Sequence, residues 1–148
     1  MKVLVLGGAG YIGSHICKAL ALMNHQTMVL DNLSTGHREA VRWSQFIEAD
    51  ILDAEALLSI LQDAGPFDLI MHFCAKSLVG ESVQNPALYY RNNVAGTLNL
   101  LDAMVATGHD KLVFSSTAAV FGLPEQDLID EQHPRMPINP YGQSKKMI

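Results

Sequence analysis

Residues 7–15 read GGAGYIGSH. They follow KVLVL (Lys2–Leu6) and precede Ile16, Ala19, Leu20 and Met23, which recur at helical spacing as far as Asn24. A buried strand, a glycine turn and an amphipathic helix account for all three patterns. Gly7, Gly10 and Gly13 carry the spacing of a dinucleotide-binding turn, with Gly8 as an extra. In such a turn one glycine allows the tight bend. A second lets a pyrophosphate approach the backbone, and a third lets helix and strand pack closely. The helix N-terminus would offer N–H groups and a positive dipole end to the phosphates. Glycines that merely turn the chain would give the same string, so a second signal is needed.

Asp31 supplies it. Gln26–Leu30 (QTMVL) reads as the next strand and ends at this acid, 18 positions after Gly13. A carboxylate at the tip of the second strand accepts a hydrogen bond from a ribose 2′-hydroxyl and repels a 2′-phosphate. The expected ligand is therefore a dinucleotide, NAD rather than NADP.

Bulk properties narrow the class. The chain has 148 residues, 49% of them hydrophobic and 17% charged, with a net charge of −5. One domain's worth of core is available. Without a basic run, nucleic acid and acidic membrane surfaces are unexpected partners. Cys17 and Cys74 stand in no metal-ligand spacing and read as small core fillers of a reducing compartment. The six histidines are scattered singly, so no metal is expected. No apolar run approaches bilayer length, and the first strand begins at once after Met1. The expectation is a cytoplasmic protein with no leader and no membrane partner.

Beyond Asp31, Asn32, Ser34, Thr35 and Gly36 form a polar loop, with a short helix beginning in His37–Val41. Phe46–Ala49 is a third strand closed by Asp50 and Ile51. Asp50 is placed either to accept from an adenine amino group or to serve as a loop residue. Asp53 caps a helix running to about Asp63, with Ala56, Leu57, Ile60 and Leu61 inward. Gly65-Pro66 ends it, and Phe67–Phe73 is the fourth strand, with His72 read as a core histidine. Cys74–Ser82 reads as a loop of small residues at the ligand-holding edge of the sheet. Pro86–Thr107 reads as one long helix with an apolar stripe of Leu88, Val94, Leu98, Leu101 and Val105. Asn92-Asn93 in its middle is poor for a helix that only packs, and Asn93 is singled out to bond a ligand or a neighbouring loop. Lys111–Ser116 is the fifth strand, and Gly122–Pro137 is a long polar loop. Alternating strands and helices predict an α/β fold, a Rossmann-type doubly wound parallel sheet.

The chemistry gathers near residue 140. Asn139-Pro140 starts a helix that carries Tyr141 and Lys145 at i and i+4, on one face. A neighbouring ammonium, the helix N-terminus and a nicotinamide ring would each stabilise a phenolate there. Such a phenol can take the proton of a substrate alcohol while hydride leaves the same carbon. Ser115, Ser116 or Thr117, at the end of the fifth strand, would hydrogen-bond the reacting oxygen.

The stretches GGAGYIGSH, DNLSTG, ADI, HFCAKSLVGES, NPALYYRNNVAGT, FSSTAAVFG and NPYGQSK occur in one order. In that order and spacing the chain resembles the extended short-chain dehydrogenase/reductases, and among them the UDP-glucose 4-epimerase branch. Ala118-Ala119 stands where related dehydratases tend to carry an Asp-Glu pair, which favours the epimerase side. Cys74-Ala75 stands where many members have Ala-Ala or Ala-Gly, still small. The resemblance implies NAD lined by Gly7, Gly10, Tyr11, Ile12, Gly13, Asp31, Asn32, Asp50, Ile51, Phe73, Asn93, Ser115 and Lys145. It implies Tyr141 as base, Lys145 as ribose contact and phenol tuner, and Thr117 beside the sugar O4. The implied reaction oxidises C4 of a UDP-hexose, turns the ketone over and returns hydride to its other face.

Family members run to more than twice this length, so residues 1–148 are expected to be a truncated NAD-binding domain without its sugar-nucleotide domain. The fifth strand would then be an open apolar edge inviting self-association. Such a chain is expected to hold part of the NAD site and to turn over no UDP-sugar by itself. Two alternatives stay open: a non-catalytic NAD-binding fragment that needs a partner chain, and another NAD-dependent nucleotide-sugar dehydratase or oxidoreductase.

Overall fold

The computed structural model describes Met1–Ile148, which divide into two compact units. The first comprises Met1–Cys74 with Leu98–Ser115, the second Ala75–Thr97 with Ser116–Ile148.

Unit 1 is built on five parallel strands: β1 (Lys2–Leu6), β2 (Gln26–Asp31), β3 (Gln45–Glu48), β4 (Leu69–His72) and β5 (Leu112–Phe114). Their order is β3-β2-β1-β4-β5, so the sheet grows outward in both directions from β1. The expected Rossmann-type sheet is present. Two strands are shorter than the sequence suggested: Phe67, Asp68 and Phe73 lie outside β4, and Lys111, Ser115 and Ser116 lie outside β5.

Period-2 alternation on β1 divides the core. Leu4 and Leu6 face helices α2 (Ala54–Asp63) and α5 (Gly96–Thr107), in a cluster with Leu30, Leu57, Leu61, Ile70, Leu100 and Met104. Val3 and Val5 face α1 (Tyr11–Leu22), clustered with Val29 and Cys17. Both faces of β1 are buried, which is why KVLVL is almost wholly apolar. α2 starts as predicted, with Asp53 Oδ1 accepting from the Ala56 amide at 2.9 Å. On α1 the inward stripe differs from the expected one. Gly13 and Cys17 are buried, whereas Ala19 and Met23 are exposed. The close approach at Gly13 turns the helix by about one residue relative to a stripe read from bulk alone.

Unit 2 contains α3 (Val79–Gln84), α4 (Pro86–Tyr89) and α6 (Pro140–Met147). A six-residue π-helical turn, Tyr90–Ala95, follows α4 directly. Cys74–Ser82 is therefore not all loop, since α3 begins at Val79. The expected single helix over Pro86–Thr107 is continuous in path but contains the π turn. Its apolar stripe is corrected too. Leu98, Leu101 and Val105 are exposed, and the buried face runs through Tyr89, Asn93, Thr97, Leu100, Ala103 and Met104. α5 is apolar on both sides, so hydrophobicity alone could not choose between them. α6 begins at Asn139-Pro140 as expected, with Asn139 Oδ1 accepting from the Gly142 amide at 2.8 Å. No helix is long and apolar enough to cross a membrane.

Candidate functional site

In unit 1 the chain leaves β1 into the glycine turn at the point where the strand order reverses, between β1 and β4. Ligands of open α/β sheets sit in the crevice at such a switch point. Gly7 adopts φ 78°, a left-handed conformation suited to glycine, and a Cβ on it would lie 2.7 Å from the Cys74 amide nitrogen. A Cβ on Gly13 would collide with the Gly7 carbonyl oxygen. These two glycines bring the first turn of α1 down against the strand ends.

That first turn is electrostatically bare. Gly10 is the N-cap and offers no side-chain bond, and the turn holds no acidic residue. By contrast, α2 and α6 are capped by Asp53 and Asn139. The N–H groups at a helix start have no intrahelical acceptor, and here no side chain of the cap replaces one. Tyr11 and Ile12, at the start of α1, are 82% and 54% exposed.

Asp31 ends β2, buried. Its Oδ2 accepts from the Ala9 amide at 3.0 Å and its Oδ1 from the Leu33 amide at 2.9 Å. The carboxylate thus ties the glycine turn to the loop after β2, where Leu33 has φ 56°. Asn32 Nδ2 donates to Asp50 Oδ2 at 2.9 Å, so two more of the sequence-predicted residues meet. Ile51 is buried in the core, and its carbonyl accepts from Asn99 Nδ2 at 3.3 Å. Phe73 follows β4, half-buried against the Val3–Val5 cluster. His72 is a core residue, its ring tilted against Phe114 at 5.5 Å. Ser115 follows β5, its amide donating to the His72 carbonyl.

The remaining candidates lie in unit 2. Tyr141 and Lys145 occupy the first and second turns of α6; Tyr141 is half-buried and Lys145 only 4% exposed. Thr117 Oγ1 accepts from the Ala119 amide at 3.2 Å, capping the short helix Ala118–Val120. That bond uses the oxygen and leaves the hydroxyl proton for a donor role.

Asn93 is fully engaged. Its Oδ1 accepts from the Lys76 amide and from Asn92 Nδ2, while its Nδ2 donates to the Lys76 carbonyl and to Ser144 Oγ, all at 2.9–3.0 Å. An asparagine amide has two donors and two acceptor lone pairs, and all four are used within the protein. Of the two partners that the sequence allowed, a ligand or a loop, the structure gives the loop.

The sequence reading missed Tyr89, Glu81 and Ser144. Tyr89 is fully buried, with Oη donating toward the Leu78 carbonyl and Glu81 Oε2, each at 2.7 Å. Burial first, and then the Glu81 carboxylate, push its phenol up to about 12. Ser144 Oγ donates to the Tyr141 carbonyl at 2.8 Å. A signal was present: two adjacent tyrosines one turn before Asn93, and a serine between Tyr141 and Lys145.

Comparison with known proteins fits this arrangement. The model of the NAD dependent epimerase/dehydratase family matches residues 3–148. The chain belongs to that family. It is 52% identical over 144 residues to a UDP-glucose 4-epimerase of Rhizobium meliloti, covering 97% of this chain and 44% of the relative. Against the UDP-glucose 4-epimerase of Lactobacillus helveticus it is 50% identical, covering 100% of this chain and 45% of the relative. Among solved structures, the Brucella ovis UDP-glucose 4-epimerase in complex with NAD superimposes with a TM-score of 0.96 at 49% identity, over 99% of this chain and 45% of that one. The chain thus spans a little under half the length of these relatives. The family assignment places the glycine turn and the Tyr-x-x-x-Lys helix in one lineage, as their order in the sequence suggested.

Proposed function

We propose that this chain is the NAD-binding portion of a UDP-glucose 4-epimerase, and that the reaction interconverts UDP-glucose and UDP-galactose at C4. The observation that carries the reading is the bare N-terminus of α1 beneath a glycine turn in which Gly7 and Gly13 leave no room for a Cβ. A pyrophosphate fits that surface, because it needs close backbone approach and N–H donors without a competing carboxylate. Gly7, Gly10 and Gly13 would cradle it, and Tyr11 and Ile12 would cover it. Asp31, Asn32, Asp50 and Ile51 would line the adenosine half, with Phe73 and Ser115 along the strand ends. Asn93 would act through the loop it holds.

NAD, when bound, supplies the hydride acceptor. Tyr141 takes the proton of the C4 hydroxyl and later returns it. Lys145, one helical turn further along the same face of α6, would contact the nicotinamide ribose. Thr117 donates its hydroxyl proton to the sugar oxygen as that oxygen gains negative character. The relative from Bifidobacterium longum was solved with NAD+ and UDP, which supports a nucleotide-sugar substrate.

Calorimetric titration of the chain with NAD, using NADP as control, tests the reading. NAD binding with NADP excluded is the expected result, and binding of neither would overturn it. UDP-galactose is then added to the NAD-loaded chain and to its Tyr141→Phe variant, with absorbance followed at the reduced nicotinamide band. Any reduction must disappear in the variant.

A second reading is a non-catalytic NAD-binding fragment that needs a partner chain, favoured by the open edge of the sheet at β5. NAD binding without turnover is its signature. β5 is an edge strand with Val113 44% exposed, so the 148-residue chain is expected to self-associate through that edge. Size-exclusion chromatography across concentration checks this, and a clean monomer would refute it.

A further inference from the structure

Tyr89 and Asn93 lie four residues apart on the buried face of the segment that passes from α4 into the π turn, and each meets one residue of α6. The Tyr89 ring stands edge-on to the Tyr141 ring, with centroids 6.3 Å apart and planes at 76°. Asn93 Nδ2 donates to Ser144 Oγ at 3.0 Å, and Ser144 Oγ donates to the Tyr141 carbonyl at 2.8 Å. The backbone of Tyr141 is therefore held from one side by Asn93 through Ser144, and its ring is met by Tyr89.

Tyr89 is itself fixed at both ends. Its backbone closes α4, and its hydroxyl is pinned between the Leu78 carbonyl and Glu81 Oε2. A filler residue needs volume only. This one combines full burial, a hydroxyl with two acceptors and an edge-to-face contact within the preferred range for aromatic pairs. Two phenols face each other here, and their roles divide. Tyr89 keeps its proton at neutral pH, because burial and Glu81 oppose its ionisation. It cannot serve as the base.

We infer that Tyr89 is a positioning residue for Tyr141: its ring, anchored through Leu78 and Glu81, sets the plane in which the Tyr141 phenol points at the substrate hydroxyl. The inference rests on the reading of Tyr141 as the proton acceptor. Its value to that reaction is orientation, since a general base must be held within hydrogen-bond reach of the proton it takes. The π turn belongs to the same device, as such turns commonly reorient side chains at functional sites.

Aromatic NMR of the 148-residue chain with 13C-labelled tyrosine tests this. Only four tyrosines contribute, and Tyr141→Phe assigns the signal of interest. The wild-type chain should show cross-relaxation between the Tyr89 and Tyr141 rings and a ring-current shift on Tyr141. Tyr89→Leu should abolish the shift and speed Tyr141 ring flipping, whereas Tyr89→Phe should keep both near wild type. Absence of ring–ring cross-relaxation in the wild type would overturn the inference, even if Tyr89→Leu fails to fold. So would a folded Tyr89→Phe chain that behaves like Tyr89→Leu, or a folded Tyr89→Leu chain with an unchanged Tyr141 signal. The NAD titration separates the two levels. Failure to bind NAD sinks the functional reading, while loss of the tyrosine signature with NAD binding intact sinks the positioning role alone.

Discussion

The Asp31 carboxylate reaches back across the glycine turn and accepts the Ala9 amide at 3.0 Å, while its other oxygen accepts the Leu33 amide. A side chain expected to choose between cofactors also holds together the turn that would bind them. Asp31→Ala should therefore lose stability as well as discrimination. Two backbone donors lose their acceptor at a buried site, at a cost of about 1–3 kcal/mol. Urea denaturation reads the loss, and calorimetry should show NAD weakened and the preference over NADP narrowed.

Gly13→Ala should be far worse than Gly10→Ala. A Cβ on Gly13 runs into the backbone carbonyl of Gly7, which cannot swing aside, whereas one on Gly10 comes no nearer than 3.3 Å to that oxygen. Overpacking against backbone costs at least about 1–3 kcal/mol. Denaturation midpoints of the two variants check the ranking; equal midpoints would contradict the close approach of α1 to the strand ends.

Asn93→Ala removes four hydrogen bonds at once, takes this partner from the half-buried Lys76 amide and carbonyl, and leaves buried Ser144 Oγ only its bond to the Tyr141 carbonyl. A loss of about 2–4 kcal/mol is expected. Asn92→Ala, at a half-buried position, removes a single bond and should cost well under half as much. Chemical denaturation of both variants is the measurement.

The alkaline limb of stability should carry a signature of Tyr89. Its folded phenol is raised from 10.0 to about 12, so the folded chain holds this proton more tightly than the unfolded one. The stabilisation is fully present below pH 10 and is lost as pH rises towards 12. Melting curves of wild type and Tyr89→Phe between pH 8 and 11.5 should converge with rising pH. A constant gap between them would show that Tyr89 ionises freely in the folded chain.

Much of the fold was legible because its signals are local. Asp53 and Asn139 cap the helices that they were expected to cap, and Gly65-Pro66 follows the end of α2. The sheet followed from short apolar runs separated by helical ones. The inward face of α5 was not legible. Leu98, Leu101 and Val105 make as good a stripe as Leu100, Ala103 and Met104, and burial of Asn93 and Thr97 has no hydrophobic trace. Thr97 returns its hydroxyl to the Asn93 carbonyl at 2.6 Å, which lets a polar residue pass as core. In the candidate site, the positions of Asp31, Tyr141 and Lys145 could be read from spacing. The supports under them could not: the amide network of Asn93 and the tyrosine pair join residues 51 and 52 apart.

The π turn also sets a rule for insertions and deletions. An α-helix advances about 100° per residue, so removing one exposed residue such as Arg91 would let Tyr90–Ala95 relax into ordinary α-helix. A π turn takes about one residue more than an α turn to cover the same rotation, so the backbone would gain regularity while the residues on either side kept their angular places about the axis. A deletion inside the regular turns of α5, by contrast, would shift every residue beyond it by about 100°. The segment can therefore shed a residue at Arg91, and what selection has to guard there is the side chains that the turn presents, more than its length.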